Sequence, residues 1–178
     1  MCGINGFNFQ DDNLIKRMMS FTKNRGPDFS DYISNQDITL GHDRLSILDL
    51  NNRSNQPFKF KQLIISYNGE IFNYIELKKE LISLGYKFKT TSDTEVIIYL
   101  FDKFGIESFK KLSGIFAISL WDDNKKILYL IRDIVGVKPL YYFSENEKNL
   151  IFSSSIKSIL EYKKINQINS KALFFYKN

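Results

Sequence analysis

One cysteine, one histidine and one tryptophan are spread over 178 residues, with three prolines and nine glycines. The single cysteine excludes an intrachain disulfide. Together with the single histidine it also excludes a Cys/His zinc cage and an iron–sulfur cluster. His42 is left as the only histidine that could act as a base. No stretch reaches the roughly 18 apolar residues that span a bilayer, so no membrane partner is expected. The opening residues carry neither a basic nor a long apolar run, and a secretory signal is not expected. A reduced, lone cysteine without an export signal fits the cytosol, so the expected location is cytoplasmic.

Long runs of one charge are also missing. The 25 basic and 20 acidic side chains leave a net charge of +5. A basic excess suits nucleic acid, but the lysines come as scattered doublets such as Lys78-Lys79 and Lys110-Lys111. None builds the run of like charges that marks a binding tail. The sixteen Phe and ten Tyr fall mostly inside apolar strand or helix patterns, which reads as core packing rather than base stacking. No nucleic-acid partner is expected. The length and the 43% hydrophobic content suit one domain able to bury a core without disulfide or metal staples.

Periodicity divides the chain. Residues 4–9 read as a strand, and 12–23 as a helix capped by Asp11 or Asp12. Residues 25–28, Arg-Gly-Pro-Asp, are a turn signal. Strands follow at 30–34, 37–43 and 62–67, the last ended by an Asn68-Gly69 break that reads as a turn. Residues 74–84 and 93–104 show helical apolar stripes, each followed by glycine. Alternation at 115–121 and a return at 127–132 predict a hairpin. Two more strands, at 139–143 and 149–153, precede a short helix at 155–161. Helices set between groups of antiparallel strands predict packed antiparallel sheets covered by helices, not a doubly wound parallel sheet.

A few residues stand out chemically. If Met1 is removed, Cys2 carries a thiol and a free α-amine on one residue, a nucleophile with its own base. An α-amine pKa of about 7.7–8.0 and a thiol pKa of about 8.5 make that proton exchange cheap near neutrality. The bland alternative is a small buried cysteine in the first strand. Asn68 and Gly69 could donate to a developing oxyanion or form a plain hairpin turn. Arg44 suits a bidentate carboxylate or a surface ion pair with Asp43 or Glu70. Asp93 could meet a substrate ammonium or simply complement a helix dipole. His42 reads better as a packed, hydrogen-bonded histidine than as a base. Taken together, these groups describe a site for an amino acid.

The ordered motifs carry a family resemblance. They are Met1-Cys2-Gly3-Ile4; Arg25-Gly26-Pro27-Asp28; Gly41-His42-Asp43-Arg44-Leu45-Ser46-Ile47; Gln56-Pro57; Tyr67-Asn68-Gly69-Glu70; Ser92-Asp93-Thr94-Glu95; Gly114-Ile115-Phe116-Ala117; and Arg132-Asp133 with Gly136-Val137-Lys138-Pro139. Over about residues 1–160 the chain resembles the glutaminase domain of asparagine synthetase, a class II glutamine amidotransferase of the N-terminal nucleophile type. The resemblance implies an α+β fold, a four-layer αββα sandwich of two mainly antiparallel sheets. It implies Cys2 as nucleophile and an oxyanion hole at Asn68 and Gly69. Arg44 would bind the α-carboxylate of glutamine, with Leu45, Ser46, Ile47 and Leu48 lining the pocket. Glu70 and Asp93 would hold the α-ammonium.

The resemblance also implies a boundary: residues 1–162 as the amidotransferase domain, with 163–178 starting a linker. It implies no cofactor for glutamine hydrolysis, and ATP with magnesium only in a synthetase domain. The Ser-Gly-Gly-x-Asp-Ser loop of that domain does not occur in this sequence. The expected partner is a synthetase domain or subunit that accepts ammonia; a homodimer is left open. Asn24 stands where the family often has histidine, which alters loop packing without removing a proposed catalytic group. The alternatives are the glutaminase domain of another class II amidotransferase and a non-catalytic interaction module that kept the fold.

Overall fold

The computed structural model describes residues 1–146 and 148–163. Its elements, in chain order, are β1 (Gly3–Phe7), α1 (Asp12–Ser20), β2 (Phe29–Ser34), β3 (Thr39–Arg44), β4 (Phe58–Phe60), β5 (Leu63–Ile71), α2 (Tyr74–Ser83), α3 (Asp93–Phe104), β6 (Gly114–Asp122), β7 (Ile127–Arg132), β8 (Tyr141–Glu145), β9 (Asn149–Ser153) and α4 (Ile156–Leu160). The tail expected at 163–178 lies, Lys163 aside, outside the described residues. Among the described residues no helix is long and apolar enough to cross a membrane.

The strands form two antiparallel sheets, ordered β2-β3-β1-β9-β8 and β4-β5-β6-β7. Three apolar layers hold the stack together. Leu14, Ile15, Met18 and Met19 of α1 pack with Phe7 and Ile151 on the outside of the first sheet. Ile38, Leu40, Ile64, Trp121 and Phe152 fill the space between the sheets. On the outside of the second sheet, Leu63, Ile65, Tyr67, Phe116, Ile118 and Leu120 meet Leu77 and Leu81 of α2 and the buried face of α3. Residues on a strand alternate between faces, so β5 and β6 each feed two of these layers. The result is the expected αββα sandwich.

Helix boundaries follow local chemistry. Asp11 accepts from the backbone N–H groups of Asn13 and Leu14 at 3.0 and 2.8 Å and starts α1. Ser92 accepts from Thr94 N–H at 3.1 Å and starts α3. Gly85 and Gly105 sit at φ +92° and +61° beyond α2 and α3, a conformation that side-chain-bearing residues avoid. The helix predicted to reach residue 23 stops at Ser20 and is followed by a 3₁₀ turn over Lys23–Arg25.

One expectation is corrected. Asn68-Gly69 is not a turn: β5 runs through it to Ile71, with Asn68 opposite Ala117 and Gly69 opposite Phe116. The long ladder with β6 outweighs the local turn preference of the dipeptide.

Candidate active site

The register of the first sheet brings together residues far apart in sequence. β1 pairs with β3 so that Gly3 lies opposite Asp43, which sets Cys2 beside Arg44 where the two strands end. On β5 the side chains of Ile64, Ser66 and Asn68 share the face that looks toward the first sheet. Cys2, Arg44, Asn68, Gly69 and Glu70 therefore meet at one end of the inter-sheet space. Asp93, in the first turn of α3, joins them.

The Arg-Gly-Pro-Asp turn frames this end. Arg25 Nε donates to the carbonyl of Cys2 at 3.1 Å. Gly26 packs so close to β3 that a Cβ would lie 2.1 Å from the carbonyl oxygen of Asp43, so only glycine fits there. Asp28 N–H donates to the carbonyl of Arg44 at 3.0 Å, and its carboxylate accepts from Ser46 N–H at 2.7 Å. That contact accounts for Ser46, which does not line the cleft, whereas Leu45, Ile47 and Leu48 do.

The Cys2 thiol is partly buried. Leu45 N–H approaches Sγ at 3.4 Å, and Sγ lies 3.7 Å from the Leu45 carbonyl. Burial pushes the thiol pKa up. The Leu45 amide, the chain's amino terminus and the Arg44 guanidinium oppose that rise, and the Asp93 carboxylate adds to it. Burial thus favours the neutral thiol over the thiolate, the reactive form, and a base beside the sulfur would offset that.

Arg44 is only 4% exposed and is almost fully committed. Nη1 donates to the Asn51 carbonyl and to Asn55 Oδ1 at 3.1 and 2.6 Å, and Nη2 to the carbonyls of Leu48 and Asp49 at 3.1 and 2.5 Å. Its guanidinium thus organises the loop that walls the cleft. Asp49 staples the same loop to the approach to α3 by accepting from Thr91 N–H at 2.8 Å. Among the described residues the Nε–H of Arg44 has no acceptor, leaving one donor and the full positive charge for a ligand. The ion pairs with Asp43 or Glu70 weighed from the sequence do not form among the described residues.

Asn68 shows the opposite balance. Its Nδ2 is buried and lacks a hydrogen-bond partner among the described residues. An unmet buried donor costs about 1–3 kcal/mol, which a ligand oxygen at that point in the cleft would recover. Gly69 lies beside it because a Cβ there would stand 2.3 Å from the Ile115 carbonyl oxygen.

Two carboxylates face the other wall. Asp93 Oδ2 accepts from the Tyr67 hydroxyl at 2.7 Å and from Ile71 N–H at 3.2 Å. Burial raises the pKa of Asp93, while those two donors and the amide of Thr94 lower it. Glu70 is half-buried; burial and the Asp93 charge raise its pKa, and Lys138 lowers it. Desolvated anions side by side favour a cation between them. His42, fully buried, is held neutral at a pKa of about 4, chiefly by burial. It is a packed, hydrogen-bonded residue.

Tyr67, Gln56, Thr94 and Lys138 also line the cleft. All four lie inside motifs that carry the family resemblance, but none announces its orientation from sequence. Gln56 links two elements: Oε1 accepts from Tyr67 N–H at 2.7 Å and Nε2 donates to Thr94 Oγ1 at 3.2 Å. Lys138 is presented by a loop clamped through Asp133 and Arg132, with Arg132 Nε donating to the Lys138 carbonyl at 2.6 Å and Lys138 N–H to Asp133 Oδ2 at 3.2 Å.

The four layers define an N-terminal nucleophile hydrolase fold. A solved glutamine phosphoribosylpyrophosphate amidotransferase from Bacillus subtilis superposes with a TM-score of 0.76 at 18% identity, over 89% of this chain and 43% of that one. The chain belongs to the glutamine amidotransferase domain family, whose model matches residues 1–177. Among its relatives, asparagine synthetase [glutamine-hydrolyzing] 1 of Bacillus subtilis is 40% identical over 93% of this chain. A putative asparagine synthetase [glutamine-hydrolyzing] 2 of Methanocaldococcus jannaschii is 37% identical over 99% of it. The chain spans 26% and 39% of the lengths of those two proteins.

Proposed function

We propose that this chain hydrolyses glutamine to glutamate and ammonia through a Cys2 thioester, as the ammonia-supplying half of a glutamine-dependent asparagine synthetase. One observation carries the reading: the Cys2 thiol, at the head of one sheet, shares one cleft with the Asn68 Nδ2 of the other, which has no partner among the described residues. In this reading Met1 is removed and the α-amine of Cys2 takes the thiol proton. The thiolate attacks the side-chain carbonyl carbon of glutamine, and the C=O electrons move onto oxygen. Asn68 Nδ2 and Gly69 N–H receive that oxyanion. Its collapse breaks the C–N bond, and the α-ammonium of Cys2 protonates the leaving nitrogen, which departs as ammonia. Water then adds to the thioester and gives its proton to the α-amine. The second oxyanion collapses with cleavage of the C–S bond, and the sulfur recovers a proton.

The substrate α-ammonium is assigned to Asp93 and Glu70. Its α-carboxylate is assigned to Arg44, through Nε–H and the guanidinium charge. Hydrolysis is proposed to proceed without a cofactor, with ATP and magnesium belonging to a synthetase domain that consumes the ammonia in the cytoplasm.

Intact mass and ammonia release test the reading together. Purified protein is expected to lack Met1 and to release ammonia from glutamine without nucleotide, and Cys2→Ala to abolish release. A wild-type chain with a free Cys2 amine and no turnover would overturn it.

A further inference from the structure

Tyr67 has all three of its polar groups engaged, each by a different part of the molecule. Its N–H donates to Gln56 Oε1 at 2.7 Å, its carbonyl accepts from His42 Nε2 at 3.0 Å, and its hydroxyl donates to Asp93 Oδ2 at 2.7 Å. The first bond ties β5 to the loop that leads into β4. The second ties β5 to the first sheet. The third crosses from the sheet to the first turn of α3. The next residue in the chain is Asn68, whose side chain points to the opposite face of the strand. Among the described residues, Tyr67 is thus the one side chain that joins the strand bearing the proposed oxyanion donor to the buried carboxylate on the helix.

We propose that Tyr67 is a positioning residue: its hydroxyl fixes the Asp93 carboxylate in register with Asn68, and this sets the affinity of the cleft for the α-ammonium of the substrate. The proposal rests on the glutaminase reading and adds a residue to it. Ile71 N–H, at the end of β5, reaches the same Oδ2 at the longer distance of 3.2 Å. Without the hydroxyl, the carboxylate keeps one strand contact and can turn away from the cleft. The ring itself is packed in the apolar layer between the second sheet and its helices, so Tyr67→Phe removes the bond and keeps the packing.

Tyr67→Phe is expected to raise KM for glutamine about tenfold while kcat stays within about threefold, the size of one charge-assisted hydrogen bond acting in the ground state. Glutaramate, which has the carboxylate and carboxamide of glutamine but no α-ammonium, is the control. Its inhibition constant as a competitor of glutamine is expected to be the same in both proteins. In an Asp93→Asn background, Tyr67→Phe is expected to change KM no further. A parallel loss of affinity for glutamine and glutaramate, or an unchanged KM, would overturn the assignment, and a thermal melt of each variant separates it from a folding defect. Absence of glutamine turnover in the wild type would instead remove the glutaminase reading, and this proposal with it.

Discussion

His42 and Tyr67 join the two sheets: the imidazole Nε2–H of His42 on β3 donates to the backbone carbonyl of Tyr67 on β5 at 3.0 Å. A carbonyl only accepts, so the proton sits on Nε2. Nδ1 is left bare in a buried position, without a partner among the described residues. The chain's only histidine is thereby spent on holding the sheets in register, and the chemistry is left to other groups.

Burial of this histidine makes stability depend on pH, against the opposing pull of its bond to Tyr67. His42 is depressed from 6.5 to about 4 in the folded chain. As pH falls below 6.5 the unfolded chain takes a proton that the folded one refuses, so stability falls until about pH 4. Between pH 7 and pH 5 the histidine contributes a loss of about 2 kcal/mol. Urea unfolding of wild type and His42→Gln at the two pH values is expected to show a smaller acid loss in the variant by that amount. Equal acid losses would mean that the imidazole is not held neutral.

Asn68→Ala is expected to lower kcat about 10²- to 10³-fold with little change in KM, as removal of an oxyanion donor does. It breaks no bond among the described residues, so the melting temperature is not expected to fall with the activity. Small, equal changes in kcat and KM would argue against the assigned role.

Arg44→Ala should act on structure and binding at once. Four acceptors, at Leu48, Asp49, Asn51 and Asn55, lose their donor. A destabilisation of at least about 2 kcal/mol is expected, with a strongly raised KM and faster proteolysis within residues 45–55. Arg44→Lys should recover little, because an ammonium cannot reproduce the planar fork. A KM effect with the loop still fully protected would show that the order of the loop does not depend on these four bonds.

Gly69→Ala probes the strand pairing beneath the proposed oxyanion hole. The added methyl would meet two backbone atoms, the Ile115 carbonyl oxygen at 2.3 Å and Phe116 Cα at 2.7 Å. Strands β5 and β6 would have to part locally, at a cost of about 1–3 kcal/mol. Hydrogen exchange at residues 66–70 and 115–118 should quicken, and kcat should drop because Asn68 moves with the strand. Unchanged exchange there would show that the ladder absorbs the methyl elsewhere.

Much of this was legible in the residues themselves. The alternation of Phe116, Ile118 and Leu120 against Ala117, Ser119 and Trp121 read correctly as a strand with two different faces, and the α3 span was read to the residue. The Asn68-Gly69 dipeptide misled because its turn preference is local, whereas the ladder that overrides it is made with residues almost fifty positions later. The place of Arg44 at the cleft was legible, but its commitment to four loop acceptors was not, since carbonyl direction leaves no trace in side-chain pattern. Lys138 and Tyr67 were visible only as letters within motifs. What ties them to the cleft is a clamp at Asp133 in one case and a hydroxyl bonded to Asp93 in the other.

Cys2, the proposed nucleophile, leads into one sheet and Asn68, the proposed oxyanion donor, lies in the other, and no covalent segment joins them directly. Their separation is therefore gauged by the apolar filling between the sheets, where Ile38, Leu40, Ile64, Trp121 and Phe152 act as spacers. In the proposed reaction, side-chain volume in that layer becomes a dial on reactivity, turned at positions outside the cleft lining.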